Sequence, residues 1–454
     1  MAVTQGIMQK SIVSAVEFLD QREIDPNIYD ESRDRAFTDI MKLVNRRKVT
    51  SMPTYHNWVN DNVRVKCTVS SVTSGSGTAQ VVFVVNTNSG FPRKTDLINI
   101  NNSNNEGEGV QGYITAVTYG SGTATITARS VAGNSVPIYV ANGNTVSFGS
   151  NASGEKSSSL TNRRYSVTKY FNQTQIFREF DEITDVQKVA KVEFTVNGKQ
   201  LILPYQLIQK VIKLNGDISY QMINGVKSDT LYSDQNPFLQ DVTSGLGVQT
   251  TGGLNWYVTT YGITDSAATL GTFGFTELDE IVDNLIANKA PSDYMCFMSN
   301  KVKGILDVFF KNLGSAGVTS VRMMIDGKTL DLEVDMVTYR NKKFYFMNMP
   351  IFDNPDVFSA TIEPDVYGSM FLVPTDSVET VDNGRQPRLQ IRYMESPFAG
   401  SGANISSDGV ITEIKTGALA PVPTSGTLAL ATDWVTNQGL EAIALKHFQK
   451  YRVV

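Results

Sequence analysis

Few side chains in this sequence are of the types that carry out chemistry. There are two histidines, His56 and His447, so a histidine-based zinc site or an efficient general base would depend on one of them. His56 lies beside Tyr55 and close to Trp58. In such surroundings we expect the imidazole to pack or to form a hydrogen bond rather than to bind a metal ion.

Two further patterns could bind a ligand. Asp326, Asp331, Glu333 and Asp335 span a predicted hairpin, and strand alternation would place the last three on one face, where their carboxylates could hold a hard cation. An exposed polar face is the commoner use of such a pattern. Residues 107–112, Gly-Glu-Gly-Val-Gln-Gly, match the dinucleotide-binding pattern. They follow an Asn-rich loop and precede a predicted strand, whereas phosphate binding needs a strand before the glycines and a helix after them.

Other signatures of catalysis are missing from the sequence. It contains no Gly-x-Ser-x-Gly, no Gly-x-x-x-x-Gly-Lys-Ser/Thr and no Cys-x-x-Cys. The two cysteines, Cys67 and Cys296, lie in unrelated strand-like segments, so we expect buried apolar residues and a reducing compartment. We therefore predict no catalytic residues, no cofactor and no metal ion, and a structural protein rather than an enzyme.

Size and charge narrow the class further. The 454 residues exceed the roughly 250–300 at which one hydrophobic core stops growing, so two or three domains are expected. Forty Lys and Arg against 45 Asp and Glu give a formal net charge of −5, without the clustered cations that a sequence-reading DNA-binding protein needs. No apolar stretch approaches the roughly 20 residues of a membrane span, so we expect no membrane partner.

The first part of the chain divides by composition. Residues 1–50 predict two short helices on an extended arm, which could dock on a partner or pack on the chain's own core. From Val59 to about Leu160 the chain is rich in Val, Thr, Ser, Asn and Gly and has no Met, which predicts an all-β domain. Within it, residues 72–79 recur as residues 117–124, each in a predicted hairpin. A small β-barrel or sandwich is therefore expected.

A long extended ribbon is predicted at residues 161–186, where aromatic and polar side chains alternate. A lone ribbon is marginal in water, so it must be covered by its own chain or by another. Pro204 opens the longest predicted helix, which ends at Asn224-Gly225.

The sequence after Gly225 predicts an α+β domain. Its expected elements are helices at about 276–289 (Thr276 as N-cap) and 300–312 (Ser299 as N-cap, Gly314 as stop), and strands at 294–298, 344–349, 370–373 and 389–393. Residues 396–435, rich in Gly, Ser, Pro and Thr, indicate a surface excursion. Residues 439–454 could be strand or helix.

Three segments together resemble a known family. Thr54-Tyr55-His56-Asn57-Trp58-Val59-Asn60-Asp61 is similar to a Thr-x-x-x-Trp-x-x-Asp start of a ribbon. Asn172-Gln173-Thr174-Gln175-Ile176-Phe177-Arg178 is similar to an Asn-Tyr-Thr-Gln-Ile-Phe-Arg return strand, and the 204–225 helix follows at the expected distance. These patterns and the order of parts resemble the HK97-fold major capsid proteins of tailed double-stranded DNA bacteriophages. The insertion at 62–160 departs from the minimal fold and resembles extra domains of several phage capsid proteins, those of crAss-like phages included.

The resemblance implies an α+β, HK97-like capsid fold in five parts. These are an N-terminal arm (1–53), an extended β-hairpin E-loop (54–196) with the all-β insertion at about 62–160, a peripheral domain with the long spine helix (197–250), a mixed axial domain (251–395), and a surface excursion with a C-terminal return to the peripheral domain (396–454).

It also implies a function and partners. The chain would be a major capsid protein that self-assembles as hexamers and pentamers into an icosahedral shell. That shell would enclose phage double-stranded DNA without sequence-specific binding, would form in the host bacterial cytoplasm, and would meet portal, scaffolding or decoration proteins. Two alternatives stay open: an encapsulin-type nanocompartment shell protein, and a β-rich adhesive or carbohydrate-binding structural protein.

The ribbon is the expected contact between copies. Laid across a neighbouring subunit, it would bury its alternating face there, and head-to-tail contacts of this kind close rings. The predicted inter-subunit contacts are Tyr165, Val167, Lys169, Phe171, Gln175, Phe177 and Arg178.

Overall fold

The computed structural model describes residues 47–60, 66–86, 92–100, 110–155, 167–185, 191–196, 199–234, 238–315, 336–379, 384–395, 404–405, 410–421, 423, 426 and 428–454. Several predictions lie outside these ranges: the two arm helices, the glycines at 107 and 109, Tyr165, and the Asp326-Gly327 hairpin with its acidic residues. The described chain forms two compact units. The barrel unit is Trp58–Lys169, and the main unit is the remainder on either side of it.

The described residues up to Leu201 form twelve β-strands. They are β1 (Arg47–Val49), β2 (Thr54–Asn60), β3 (Lys66–Ser74), β4 (Gln80–Asn86), β5 (Asp96–Ile100), β6 (Val110–Tyr119), β7 (Thr123–Ser130), β8 (Thr145–Asn151), β9 (Val167–Gln173), β10 (Gln175–Thr184), β11 (Lys191–Val196) and β12 (Lys199–Leu201).

The chain after residue 201 mixes helices and strands. Its elements are α1 (Ile202–Asn224), α2 (Leu254–Tyr261), β13 (Ile263–Ser266), α3 (Phe275–Ala287), β14 (Asp293–Met298), α4 (Asn300–Ser315), β15 (Met336–Tyr339), β16 (Lys342–Asn348), the short helix α5 (Pro364–Tyr367), β17 (Ser369–Pro374), β18 (Ser377–Glu379), β19 (Arg385–Pro387), β20 (Leu389–Tyr393), β21 (Asn404–Ile405), β22 (Thr412–Thr416), β23 (Ala429–Ala442) and β24 (Gln449–Arg452). Single 3-10 turns lie at Pro350–Asp353 and Leu445–His447.

The barrel unit is a closed barrel with the strand order β3-β4-β7-β6-β5-β8. Along β4, Val81, Phe83 and Val85 point inward and are fully buried, because successive side chains of a strand alternate between the two faces. The two sequence repeats form the hairpins β3–β4 and β6–β7, as predicted. At Gly75 the backbone φ is +81° and a Cβ would lie 2.2 Å from the Gln80 carbonyl oxygen, so this turn requires glycine.

The first sheet of the main unit has the order β1-β20-β23-β22-β21, and β10 also pairs with β23. The β10–β23 ladder is antiparallel and runs from Gln175 opposite Gln438 to Thr184 opposite Ala429. The second half of the predicted ribbon, Gln175–Thr184, is therefore a strand of the chain's own sheet. This answers, for that half, the question of what covers it.

The second sheet of the main unit has the order β13-β24-β17-β14-β16-β15. Helices α3 and α4 supply its core, in which Ile281, Leu285 and Val302 pack with Tyr294 and Cys296. Every residue of β17 is buried, which is why that segment shows a continuous apolar run rather than an alternation.

The helix predictions hold with two corrections. Helix α1 confirms the segment that begins near Pro204. Helix α3 begins directly after Gly274, so Thr276 lies inside the first turn and is not the cap. Ser299 does cap α4, since its Oγ accepts from the Val302 backbone N–H at 3.4 Å. That helix runs to Ser315, so Gly314 does not stop it.

The prediction of a surface excursion up to residue 435 is wrong for its last part. Residues 429–435 belong to β23, which has neighbours on both sides in the sheet. The buried positions of β23 include Thr432, Thr436 and Gln438, so an alternation of apolar residues is absent from the sequence. The C-terminal segment that could be strand or helix is the end of β23, a 3-10 turn and β24.

Candidate assembly surface

The root of the ribbon, where β9 ends and β10 begins, is held by buried polar side chains. Asn172 is fully buried, and its Nδ2 donates to the carbonyl oxygens of Gly252 at 2.9 Å and Leu440 at 2.8 Å. Its Oδ1 accepts from the Gly252 backbone N–H at 2.9 Å. One amide therefore links the ribbon to the segment before α2 and to β23.

The next residues extend this anchor. The Nε2 of Gln173 donates to the carbonyl oxygen and the Oγ of Ser228, both at 2.7 Å. Thr174 uses its backbone, with its N–H donating to the Pro53 carbonyl at 2.8 Å and its carbonyl accepting from the Tyr232 hydroxyl at 2.9 Å. The Oε1 of Gln175 accepts from the Thr251 backbone N–H at 3.2 Å. We call residues 172–175 the root anchor.

The ascending strand β2 reaches the same place. The buried Tyr55 hydroxyl donates to the Leu440 carbonyl oxygen at 2.6 Å, and burial raises the pKa of this phenol well above its usual value. A Cβ on Gly439 would lie 2.7 Å from both the Gln173 carbonyl oxygen and the Tyr55 hydroxyl oxygen. Glycine at 439 therefore allows the two recognised sequence segments to meet on β23.

Beyond the anchor, β10 has one covered and one open face. Phe177, Asp181 and Ile183 are buried, and Glu179 on the same face binds Lys210 at 2.8 Å and Lys213 at 3.1 Å, both from α1. Burial pushes the pKa of Glu179 up, but the hydrogen bonds from the two lysines outweigh it and the pKa is lowered.

The other face of β10 is exposed and partly apolar. Ile176 is 51% exposed and Phe180 is 44% exposed. Arg178 lies between them and forms a bidentate pair with Asp433, with both nitrogen–oxygen distances at 3.0 Å. A guanidinium has five N–H donors, and Asp433 takes two of them. We call Ile176, Arg178 and Phe180 the open face.

The structure separates the seven predicted contact residues. Val167, Lys169, Phe171 and Arg178 are exposed, Gln175 is half-buried in the root anchor, and Tyr165 lies outside the described residues. Phe177 is only 6% exposed, because β10 pairs with β23 and turns this ring into the main unit. The Phe177 ring therefore presents little surface to a neighbouring copy, and its predicted contact stays a prediction.

Cations lie over the exposed rings at the ribbon. Within the main unit, the Lys227 Nζ lies 3.7 Å from the ring centre of Phe171, and the His56 ring lies 5.9 Å from the same ring. Within the barrel unit, the Lys169 Nζ lies 5.6 Å from the ring centre of Trp58. These contacts orient the rings while leaving part of their surface open.

Both cysteine thiols are buried and His447 is half-buried, whereas His56 is exposed. Burial raises the pKa of Cys67 to about 11 and also raises that of the Cys296 thiol. Burial, together with the nearby Arg388, lowers the pKa of His447 to about 4. In the described ranges, no group of three or more His, Cys, Asp or Glu side chains could hold a metal ion. No helix there is long and apolar enough to cross a membrane.

Two features of the surface were missed from the sequence. The partners of the root anchor, Ser228, Thr251, Gly252 and Leu440, lie far from it along the chain, and no local signal marks them. The Ile176 and Phe180 pair was visible as alternation, but the alternation does not tell which of the two faces the chain itself covers.

Comparison with known protein families finds a match to this sequence. The sequence model of the SU10 major capsid protein family matches residues 19–396. No curated protein sequence matches the chain significantly.

Solved structures show only loose similarity to the chain. The capsid structure of the cyanophage P-SCSP1u is 10% identical, with a TM-score of 0.40, covering 97% of this chain and 94% of the other. A structure of Gordonia phage Cozz is 11% identical, with a TM-score of 0.40 and coverages of 100% and 98%. The holo-SrpI encapsulin complex of Synechococcus elongatus is 8% identical, with a TM-score of 0.36 and coverages of 64% and 78%.

Proposed function

The chain belongs to the SU10 major capsid protein family, and from this we propose that its exposed ribbon residues hold neighbouring copies together in an icosahedral shell around double-stranded DNA. The protein is a structural protein, a bacteriophage major capsid protein whose copies form the capsid shell of the virion. This decides against the two alternatives that the sequence left open.

The proposal includes the architecture that the resemblance implied. The parts would be those of an HK97-like subunit, with residues 54–196 as the E-loop, the barrel unit as its insertion, similar to the extra domains of crAss-like phages, and α1 as the spine helix. Hexamers and pentamers would assemble in the host cytoplasm, and portal, scaffolding or decoration proteins would join them. A net charge of −5 suits a container whose wall should not hold its DNA tightly.

One observation carries the contact between copies. Hydrogen bonds within the chain hold the root of the ribbon, while apolar side chains beyond the root are exposed to water. The strand β9 exposes Val167 and Phe171, and β10 exposes Ile176 and Phe180. Because contacts within the chain already fix the position of the strand, its exposed apolar residues can contact a neighbouring copy without further ordering. Each such contact can be weak, because a copy that touches several neighbours at once is held by all of them together.

The experiment compares two exposed neighbours on β9. V167S removes apolar surface, whereas T168S removes a methyl group from an exposed polar side chain on the opposite face of the strand. We expect V167S to raise the protein concentration needed for shells, seen by electron microscopy and sedimentation, and T168S to leave it unchanged. R178A should act like V167S. Shells that form equally well from V167S, R178A and wild type would refute the proposed contacts, without touching the capsid function itself.

A further inference from the structure

The main unit carries a second exposed apolar segment, Phe238–Leu246, which we call the tip. Phe238 is 107% exposed and Val242 is 102% exposed, so each is as open to water as in an extended peptide. Leu239 and Leu246, in the same nine residues, are also exposed. Single exposed apolar side chains are ordinary, but a cluster of them marks an interaction site.

The tip is shaped by its own hydrogen bonds. The Asp241 carboxylate accepts from the backbone N–H groups of Thr243 at 2.9 Å and Ser244 at 2.6 Å. The Asp241 N–H donates to the Leu246 carbonyl at 2.8 Å, and Gly245 turns the chain with φ at +69°. A Cβ on Gly247 would lie 2.1 Å from the Leu231 carbonyl oxygen, so the base of the tip needs glycine. The turn is thus ordered without burying its apolar side chains.

The base of the tip is joined to the root anchor. Ser228 receives the Gln173 side chain, and Tyr232 donates to the Thr174 carbonyl. Gly247 donates its N–H to Asp234, and Val248 donates to Leu239, which closes the loop between these points. The base of the tip is therefore fixed to the root anchor, which directly precedes the open face of β10.

Charge decides what can occupy the tip. The sequence has no Lys or Arg from residue 228 to residue 288, and Asp234 and Asp241 lie on either side of Phe238 along the chain. Asp229 is paired with Lys227, whose Nζ lies 3.6 Å from its carboxylate. Nucleic acid binds through cations that neutralise phosphates, so the packaged DNA does not suit this surface. In a shell built from one repeated chain, the protein always at hand is another copy.

We propose that the tip of each copy packs against a second copy of this chain in the assembled shell. The inference rests on the proposed function, since it needs the shell, but it assigns a contact outside the ribbon. Phe238 and Val242 are the residues that the neighbour covers.

A thiol at the tip reports the contact. Cys67 and Cys296 are buried and their pKa values are raised, so neither reacts readily with a maleimide. In purified V242C before assembly the new thiol should react at the rate of an exposed cysteine. In shells assembled from purified V242C alone, covering a valine-sized side chain should slow the reaction at least about tenfold.

The assembly of matched variants gives a second readout. V242S should raise the concentration needed for shells, while T243S, in the same turn, should not. Shells in which the V242C thiol stays fully reactive, or V242S assembling as wild type does, would overturn this inference and leave the proposed function standing. A wild-type chain that stays monomeric at high concentration would overturn both.

Discussion

The replacement of Asn172 by Ala is the sharpest test of the root anchor. The change deprives the Gly252 N–H and the carbonyls of Gly252 and Leu440 of one buried partner. A hydrogen bond contributes about 1 kcal/mol net, and a buried group left without a partner costs about 1–3 kcal/mol. The Leu440 carbonyl keeps the Tyr55 hydroxyl, so we expect N172A to lower the free energy of unfolding of the main unit by about 3–5 kcal/mol.

Asp at the same position separates hydrogen bonding from size. N172D keeps an oxygen for the Gly252 N–H, but its second oxygen would face two carbonyl oxygens in place of an amide donor. A buried charge without a donor is costly, so N172D should be at least as destabilising as N172A. Asn57 provides the matched control, since its Nδ2 lies 3.5 Å from the Ala442 carbonyl, at the limit of a hydrogen bond. N57A should cost less than about 1 kcal/mol.

Tryptophan fluorescence during urea unfolding measures these differences. The chain has three tryptophans, of which Trp58 belongs to the barrel unit while Trp256 and Trp434 lie in the main unit. A W58F background leaves only reporters of the main unit. N172A within about 1 kcal/mol of that background, or N172D more stable than N172A, would refute the anchor as described.

Three further outcomes are expected. F177D should lower the thermal midpoint of the unassembled main unit by an amount matching at least about 3 kcal/mol, because it places a carboxylate in a buried position, whereas I176S on the open face should change it little; equal shifts would contradict the assigned faces. Excision of residues 58–169, with a short Gly-Ser linker joining the paired strands β2 and β9, should leave a cooperative melt of the main unit, and a non-cooperative melt would mean that the two units share a core. His447 has a pKa lowered to about 4, so its neutral form is favoured in the fold; stability should be full above about pH 6.5 and fall by at most about 3 kcal/mol as the pH drops to about 4. Urea midpoints across this range should show a shallower slope for H447Q, and an unchanged slope would count against His447 as the titrating group.

The sequence predicted the elements that local patterns control. Helix α1 has helical apolar spacing after Pro204, and the barrel has its repeated glycine turns and alternating Val and Ile. The partners of the ribbon could not be found in this way. Alternation at 175–184 showed that one face must be covered, but the covering strand, β23, begins 245 residues after Thr184 and conceals its buried face behind Thr432, Thr436 and Gln438.

The sequence of the root anchor was recognised by its resemblance to a family motif, but the burial of its side chains and their hydrogen bonds were not predicted. Asn172, Gln173 and Thr174 are residue types that usually lie at the surface, so nothing in the sequence marks them as buried. Their burial depends on carbonyls of Gly252 and Leu440, 80 and 268 positions away. The tip was missed for the opposite reason, because Phe238 and Val242 stand in a polar loop without periodicity.

At this surface polar side chains are buried and apolar side chains are exposed, which is the reverse of the usual distribution. The root of the ribbon buries Asn172, Gln173 and Thr174, while the open face and the tip leave Phe180 and Phe238 in water. Hydrogen bonds are directional, so a buried polar root fixes the direction in which the ribbon leaves the main unit, whereas apolar contact is non-directional and grows with area. A subunit that folds before it assembles needs directional hydrogen bonds within its own chain, and it needs apolar surface that becomes buried between copies. An apolar root would fix the direction of the ribbon less specifically, and a polar open face would contribute little free energy to the association of neighbouring copies.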